Sequence, residues 1–237
     1  MIDNNDHAPP GDANVIIVRH GRSYDIDGYN PQDHILHEIR RRGEFYEQDL
    51  LDFIASKKLA GMYLDIGANI GNHSVFFAAV CKADRVIAVE PHPGLEKVLG
   101  RNLTRNVAYG KYSIFRAAVY PNRDHVFLKV AGDENIGKTK TVLENGDIEV
   151  PAVSIDCIVE QLPKIPVTLI KMDIEGAELP AIQSGLETIK KFKPLLAIES
   201  LSIEKREEIR AVLEPLGYRI VAQFCYSPVY VWEWEEK

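Results

Sequence analysis

The stretch Met62–Ala79, MYLDIGANIGNHSVFFAA, with Arg85–Pro91, RVIAVEP, close behind it, decides how this chain folds. The apolar run at 62–66 has the length and composition of a buried strand, and the turn that follows carries Asp65, Gly67, Asn69 and Gly71 at its key positions. An apolar helix then leads to a second strand ending on Glu90. Strand, glycine turn, helix, strand and carboxylate is the order in which an α/β fold builds a nucleoside-binding crevice. Glycines at 67 and 71 let the backbone bend sharply and approach a ligand, because no Cβ intervenes. Glu90 stands where a carboxylate accepts hydrogen bonds from both ribose hydroxyls. A tight strand-to-helix turn without a ligand would use the same glycines. The acid at the next strand end shifts the balance toward a nucleoside.

The turn reads Gly67-Ala68-Asn69-Ile70-Gly71 and lacks the G-x-G-x-x-G spacing that brings a pyrophosphate onto a helix N-terminus. S-adenosylmethionine has no phosphate. It asks instead for a carboxylate such as Asp65 near its ammonium group and for polar backbone around its methionine tail.

LDIGANIG, VIAVEPHP, LIKMDIEGAE (Leu169–Glu178) and PLLAIE (Pro194–Glu199), in this order and spacing, resemble the FkbM-type family of S-adenosylmethionine-dependent methyltransferases, over roughly residues 43 to 200. The resemblance implies O-methylation of hydroxyls on sugars, glycolipid headgroups or polyketide-type natural products, and it leaves the acceptor open. It also puts Glu47, in EFYEQD, near the cofactor tail, although an acid at a helix N-terminus is favoured by the dipole in any case.

A chain of 237 residues suits one α/β domain with an N-terminal extension and leaves little room for a second core. Net charge is −7, which argues against a nonspecific grip on nucleic acid, since that requires a basic face. The base run Arg40-Arg41-Arg42 reads as cations at a helix C-terminus. Cys81, Cys157 and Cys225 are far apart without metal-ligand spacing, as in a reducing cytosol. No signal peptide and no run of ~20 apolar residues is visible, so a cytoplasmic protein is expected.

Residues 1–14 read as a disordered tail, and residues 15–58 as a hairpin (Val15–Val18 with Tyr24–Ile26) and two helices. The first helix is expected to start with Asn30 as cap and Pro31 at its first position, and to stop at Gly43; the second covers Phe45–Lys57. From 59 to 237, strands are expected at 62–66, 85–90, 112–118, 167–173, 194–199, 217–224 and 228–234, with helices at 71–80, 93–106, 154–162, 176–191 and 203–215. The alternation predicts an α/β, doubly wound, mostly parallel seven-stranded sheet. Its last two strands are joined too tightly for a crossover, so one strand runs antiparallel. This is the class I methyltransferase, Rossmann-like arrangement. Residues 124–152 interrupt the alternation, with Asn145-Gly146 at a hairpin turn. Their polar tip, 132–138 with Asn135, reads either as a mobile flap against the acceptor or as a surface hairpin.

Methyl transfer from a sulfonium needs alignment and a dry site, and a hydroxyl acceptor needs help in losing its proton. In open α/β sheets the site lies beyond the carboxyl ends of the strands. The polar residues there are Asp65 and Glu90, assigned to the cofactor, and Asp173, Glu175 and Glu199. Asp173 ends LIKMD and is the first candidate for the base, or else it caps the next helix. Glu175 is a second catalytic candidate, Glu178 a structural one, and Glu199 a binder of acceptor hydroxyls. His73 can act as base, face the methionine moiety or simply pack. Ala118 closes strand three where an adenine ring can pass. Asp173, Glu175 and Glu199 can also form an oxygen-rich divalent cation site, though no spacing demands a metal.

Two other functions fit a similar sheet. A nicotinamide-dependent oxidoreductase would need the third glycine, and the intact Asp65, Glu90 and Asp173 set argues against a non-catalytic nucleoside-binding module that has lost its chemistry. A small-molecule or carbohydrate acceptor is the expected partner, and a homodimer through the N-terminal hairpin and helix is compatible with the chain.

Overall fold

The computed structural model describes residues 14–236, with the side chains of residues 133–135 excepted. The expected tail lies outside the described residues apart from Asn14, which begins the first strand. That strand, β1 (Asn14–Arg19), pairs antiparallel with β2 (Arg22–Asp27) as a separate hairpin. Helix α1 (His34–Arg42) begins later than Asn30-Pro31 suggests. Its cap is Asp33, whose carboxylate accepts from Leu36 N at 2.9 Å and Tyr29 N at 3.0 Å, while Asn30 Oδ1 accepts from Gln32 N and closes a turn ahead of the helix. The helix ends at Gly43, in the left-handed conformation at φ 70°, whose N–H returns to the Ile39 carbonyl. Helix α2 (Gln48–Ser56) follows.

The central sheet takes β3 (Met62–Ile66), β4 (Arg85–Val89) and β5 (Tyr112–Phe115), with α3 (Asn72–Ala79) and α4 (Pro93–Asn106) as crossovers. Strand three stops at Phe115. Ala118 begins a separate short strand, β6 (Ala118–Val119), which joins β7 (His125–Lys129), β8 (Lys140–Val142) and β9 (Ile148–Val153) in a second, four-stranded sheet. A six-residue 3-10 helix at 133–138 links β7 to β8. The chain returns to the central sheet through α5 (Ile155–Glu160), β10 (Val167–Met172), α6 (Glu178–Gln183), α7 (Leu186–Phe192), β11 (Leu195–Glu199), α8 (Ile203–Leu213), β12 (Tyr218–Phe224) and β13 (Val229–Trp234).

The single helix expected at 176–191 is two. The break falls at Ser184-Gly185, where a Cβ on Gly185 would lie 2.8 Å from that of Ile155, and where Ser184 Oγ accepts from Ile155 N. The bend lets the start of α5 pack against the backbone.

Strand order in the central sheet is β12-β13-β11-β10-β3-β4-β5. β13 runs antiparallel to both of its neighbours, and the remaining pairings are parallel, so the sheet is mixed. All five residues of β3 are buried, as expected of a strand covered on both faces. Tyr63, Leu169, Ala197 and Val231 face a core shared with Phe45, Phe76 and Phe77, while Met62, Leu64, Ile170, Leu196 and Trp232 face the other. Among the described residues no helix is long and apolar enough to cross a membrane.

Register determines what meets at the carboxyl ends. Asp65 pairs with Ala88 on one side and Lys171 on the other, and Lys171 pairs with Ala197. Side chains two residues apart share a face. Asp65, Glu90, Lys171, Asp173 and Glu199 therefore project to the same side of the sheet, at or just beyond its carboxyl end.

Candidate active site

A cleft of about 770 Å³ opens there. Its floor is the glycine turn, Glu90, Lys171, Asp173 and Glu199; its walls come from α1 and the start of α2, from the 136–141 segment, and from the 225–227 loop.

On one side, Gly67 N and Ala68 N both donate to the Val89 carbonyl at 3.0 Å, fastening the turn to the end of β4. Gly67 (φ 79°) is required by the backbone just beyond β10: a Cβ would stand 1.9 Å from the carbonyl oxygen of Asp173. Gly71 is similarly held against Leu99. The glycines thus admit packing partners, where the sequence alone suggested ligand approach. Asn69 is left-handed at φ 52°. Its N–H donates to Glu90 Oε2 at 2.9 Å, and His92 N–H donates to Glu90 Oε1 at 2.8 Å. Burial pushes Glu90 up to about 7 in spite of these two bonds. Asn69 Oδ1, also lining the cleft, is buried without a partner.

Asp65 does not line the cleft. It is wholly buried behind the turn, accepts from Ser74 Oγ at 2.5 Å, and lies 3.7 Å from Lys171 Nζ. An acid placed there supports the turn from behind and does not present itself to a ligand's ammonium. Burial raises it, against Lys171 and Ser74.

On the other side, Met172 pairs with Ile198, so Asp173 and Glu199 leave adjacent strand ends. Asp173 caps nothing: the N-cap of α6 is Ala177, without a side-chain bond, and Glu178 takes the Ile174 and Gly176 N–H groups. The Asp173 side chain is 30 % exposed, and its Oδ2 receives Lys171 Nζ at 3.4 Å. Glu199 is 5 % exposed and its Oε2 has no partner. Burial, then the carboxylates of Asp173, Glu175 and Glu178, hold Glu199 well above the usual carboxylate range, so it is protonated at neutral pH. Glu175, left-handed at φ 52° and half-buried, is also raised. Among the described residues no group of three or more His, Cys, Asp or Glu side chains is placed to hold a metal ion, so these three acids do not form a ligand set.

Above them, Asn72 holds the Tyr46 peptide through both its N–H and its carbonyl. Glu47 is left-handed at φ 57°, and its carboxylate lies 3.4 Å from His73 Nε2. Burial, reinforced by Asp173, raises Glu47. His73 is pushed down to about 3 by burial and by Lys171, and is therefore neutral. Its Nε2 faces the Tyr46 carbonyl at 3.3 Å, which assigns the ring proton to Nε2. A neutral, buried imidazole of this kind is a weak base, which disfavours the base role for His73.

Ala118 does not reach the cleft. It pairs with Ala152 in the second sheet, because strand three has already ended. Asn135 lies in the 3-10 turn, with its side chain outside the described residues; Ile136, buried beside it, lines the cleft. Sequence reasoning missed Lys171, Tyr46, Asn72 and the 225–227 loop. Only Lys171 carried a signal, a charge in the middle of an apolar strand.

Residues 65–220 match the model of the methyltransferase FkbM domain. The structure is similar to methyltransferase FkbM from Methylobacillus flagellatus KT, at 20 % identity and a TM-score of 0.52, over 74 % of this chain and 44 % of that one. The chain thus spans less than half the length of that protein. It is also similar to precorrin-6y C5,15-methyltransferase from Geobacter metallireducens GS-15 (15 % identity, TM-score 0.51, 80 % of this chain and 89 % of that one). The ribosomal protein L11 methylase from Lactobacillus delbrueckii subsp. bulgaricus is a third (10 %, 0.50, 80 % and 79 %). At these identities the likeness shows the fold alone, an α/β fold of the class I methyltransferases with a mixed sheet. No curated protein matches the sequence.

Proposed function

The chain belongs to the methyltransferase FkbM family, and on that premise we propose that it is an S-adenosylmethionine-dependent O-methyltransferase acting on a hydroxyl of a sugar, glycolipid or natural-product small molecule. One observation carries this reading. A single cleft holds a backbone-anchored carboxylate, Glu90, on one side and two acids at adjacent strand ends, Asp173 and Glu199, on the other.

The residues present fit the donor. Glu90 has both oxygens anchored by backbone N–H groups, and the remaining lone pairs suit two ribose hydroxyls. The unpartnered Asn69 Oδ1 offers a further acceptor. When bound, S-adenosylmethionine supplies an activated methyl group. Asp173, part-exposed at the strand end and held by Lys171 through Oδ2, is the carboxylate placed to take the proton of the acceptor hydroxyl. Glu199, protonated beside Asp173, keeps Oε2 without a partner and so open to an acceptor hydroxyl. Glu175 adds acceptor capacity at the same rim. A neutral, polyhydroxylated acceptor suits these acids better than an anionic one. The segment around Ile136 forms the acceptor-side wall in this reading. Three free, scattered cysteines support a cytoplasmic setting.

Calorimetry with S-adenosylhomocysteine and with NAD is the first test. Binding of NAD alone would end the proposal. Labelled S-adenosylmethionine with pooled sugars, glycolipids and hydroxylated small molecules then identifies the acceptor and the atom methylated.

A further inference from the structure

Lys171 is the only lysine or arginine among the described residues that is buried, with its side chain 3 % exposed. A buried ammonium is costly unless its N–H groups are met. Two acceptors lie within hydrogen-bond reach, the Gly67 carbonyl and Asp173 Oδ2, each at 3.4 Å, and Asp65 Oδ1 stands 3.7 Å away as an ion-pair partner. They belong to different parts of the cleft. Gly67 opens the donor turn, Asp173 ends the acceptor-side strand, and Asp65 lies beneath both.

We propose that Lys171 is a positioning residue that joins the two halves of the cleft, one ammonium holding the Gly67 carbonyl on the donor side and the Asp173 carboxylate on the acceptor side. Asp65 is the counterion that keeps it buried. This assignment rests on Asp173 acting as the acid–base group of the proposed reaction. Register supports it: Lys171 pairs with Asp65 across β3 and β10, and Asp173 follows two residues later on the same face. The electrostatics agree. Burial disfavours the charge on Lys171, and Asp173, Asp65 and Glu47 together outweigh it, so the residue stays an ammonium. Glu90, His73, Tyr46 and Cys225 also face this charge, from β4, α3, the start of α2 and the end of β12.

The test is a double-mutant cycle between Lys171→Met and Asp173→Asn, read by S-adenosylhomocysteine calorimetry and by turnover of labelled S-adenosylmethionine at saturating donor with the pooled acceptors. Lys171→Met should weaken S-adenosylhomocysteine about tenfold, through the released turn. It should lower turnover about 10²-fold through a misplaced acid. Asp173→Asn should lower turnover and leave S-adenosylhomocysteine affinity near wild type. In the double variant, Lys171→Met should cost little further turnover, because the group it positions is already gone. Turnover losses that multiply in full, or a silent Lys171→Met, overturn the positioning role while leaving Asp173 its own. Asp173→Asn within a few-fold of wild type removes the base, and the positioning role falls with it. If Lys171→Met does not fold, the same cycle is run on Asp65→Asn, which removes the buried anion it would otherwise leave unpaired.

Discussion

Glu90 and Glu199 end two strands of one sheet and are equally buried, each 5 % exposed, yet their oxygens are treated differently. Glu90 has an N–H on each oxygen; Glu199 keeps Oε2 without a partner. The same contrast runs through the halves they belong to. In the β3–β4 half the turn is pinned by backbone bonds to Val89, its glycine is pressed against the Asp173 backbone, and Asp65 is sealed behind it. In the β10–β11 half, carboxyl groups crowd together, and burial with the Asp173 carboxylate raises Glu175 and Glu199. A site built from backbone is specified before any ligand arrives, and such a half suits a fixed ligand. A site built from under-satisfied side chains waits for its partner's polar atoms, which suits a variable acceptor.

The contrast is broken most severely at Gly67. Gly67→Val adds a branched Cβ where 1.9 Å separates the position from the Asp173 carbonyl, at a φ of 79° that β-branched residues avoid. We expect a stability loss on the order of 2–5 kcal/mol and no measurable S-adenosylhomocysteine binding. A folded variant that binds would show that the turn is not a fixed element. Next in size is Asp173→Asn, which keeps shape and removes basicity. Turnover should fall about 10²–10⁴-fold with donor-analogue affinity nearly intact. Collapse of that affinity would move Asp173 into the donor half.

Glu90→Ala probes the anchored carboxylate. It removes charge-assisted bonds worth roughly 1.5–3 kcal/mol and should weaken S-adenosylhomocysteine about ten- to hundredfold. Unchanged affinity in the folded variant would refute the ribose assignment.

The smallest effect is the most direct measure of the crowding. A carboxyl group raised in the folded state contributes stability that is full below its unfolded value and is lost as pH rises through its folded value. For Glu90 that window runs from 4.5 to about 7, and Glu199 extends the loss toward alkaline pH. Glu38, held down to about 2 by Arg41, has finished titrating below this range. His73, pushed down to about 3, gains stability as pH rises to its unfolded 6.5 and offsets the acids below that, so the melting temperature should decline from about pH 6.5 to about pH 9. Glu199→Gln should reduce the decline by roughly a few degrees. An identical slope in the variant would mean that Glu199 ionises freely and that the crowding has no energetic weight.

The donor half was legible because its parts are consecutive. Asp65, Gly67, Asn69 and Gly71 lie within seven residues, and Glu90 follows one helix and one strand later. The acids of the other half were legible as strand ends, but their states were not. Nothing local says that Glu199 is protonated, that Asp173 is free of capping duty because Glu178 closes the loop, or that His73 is neutral. Ala118 was misplaced for the same reason: its strand belongs to a second sheet whose pairing with Ala152 is a contact across 34 positions.

By itself the sequence determined the run of strands and helices, the glycine turn and the acids that end the strands, because apolar periodicity and backbone freedom are properties of neighbouring residues. Tertiary structure alone decided how those acids differ. Register between β3, β10 and β11 set Asp65, Lys171, Asp173 and Glu199 on one face, and burial with that spacing raised Asp65 and Glu199 while keeping Lys171 charged. Charge state depends on distance and on exclusion of water, and both are set by residues more than a hundred positions apart, such as Gly67 and Lys171.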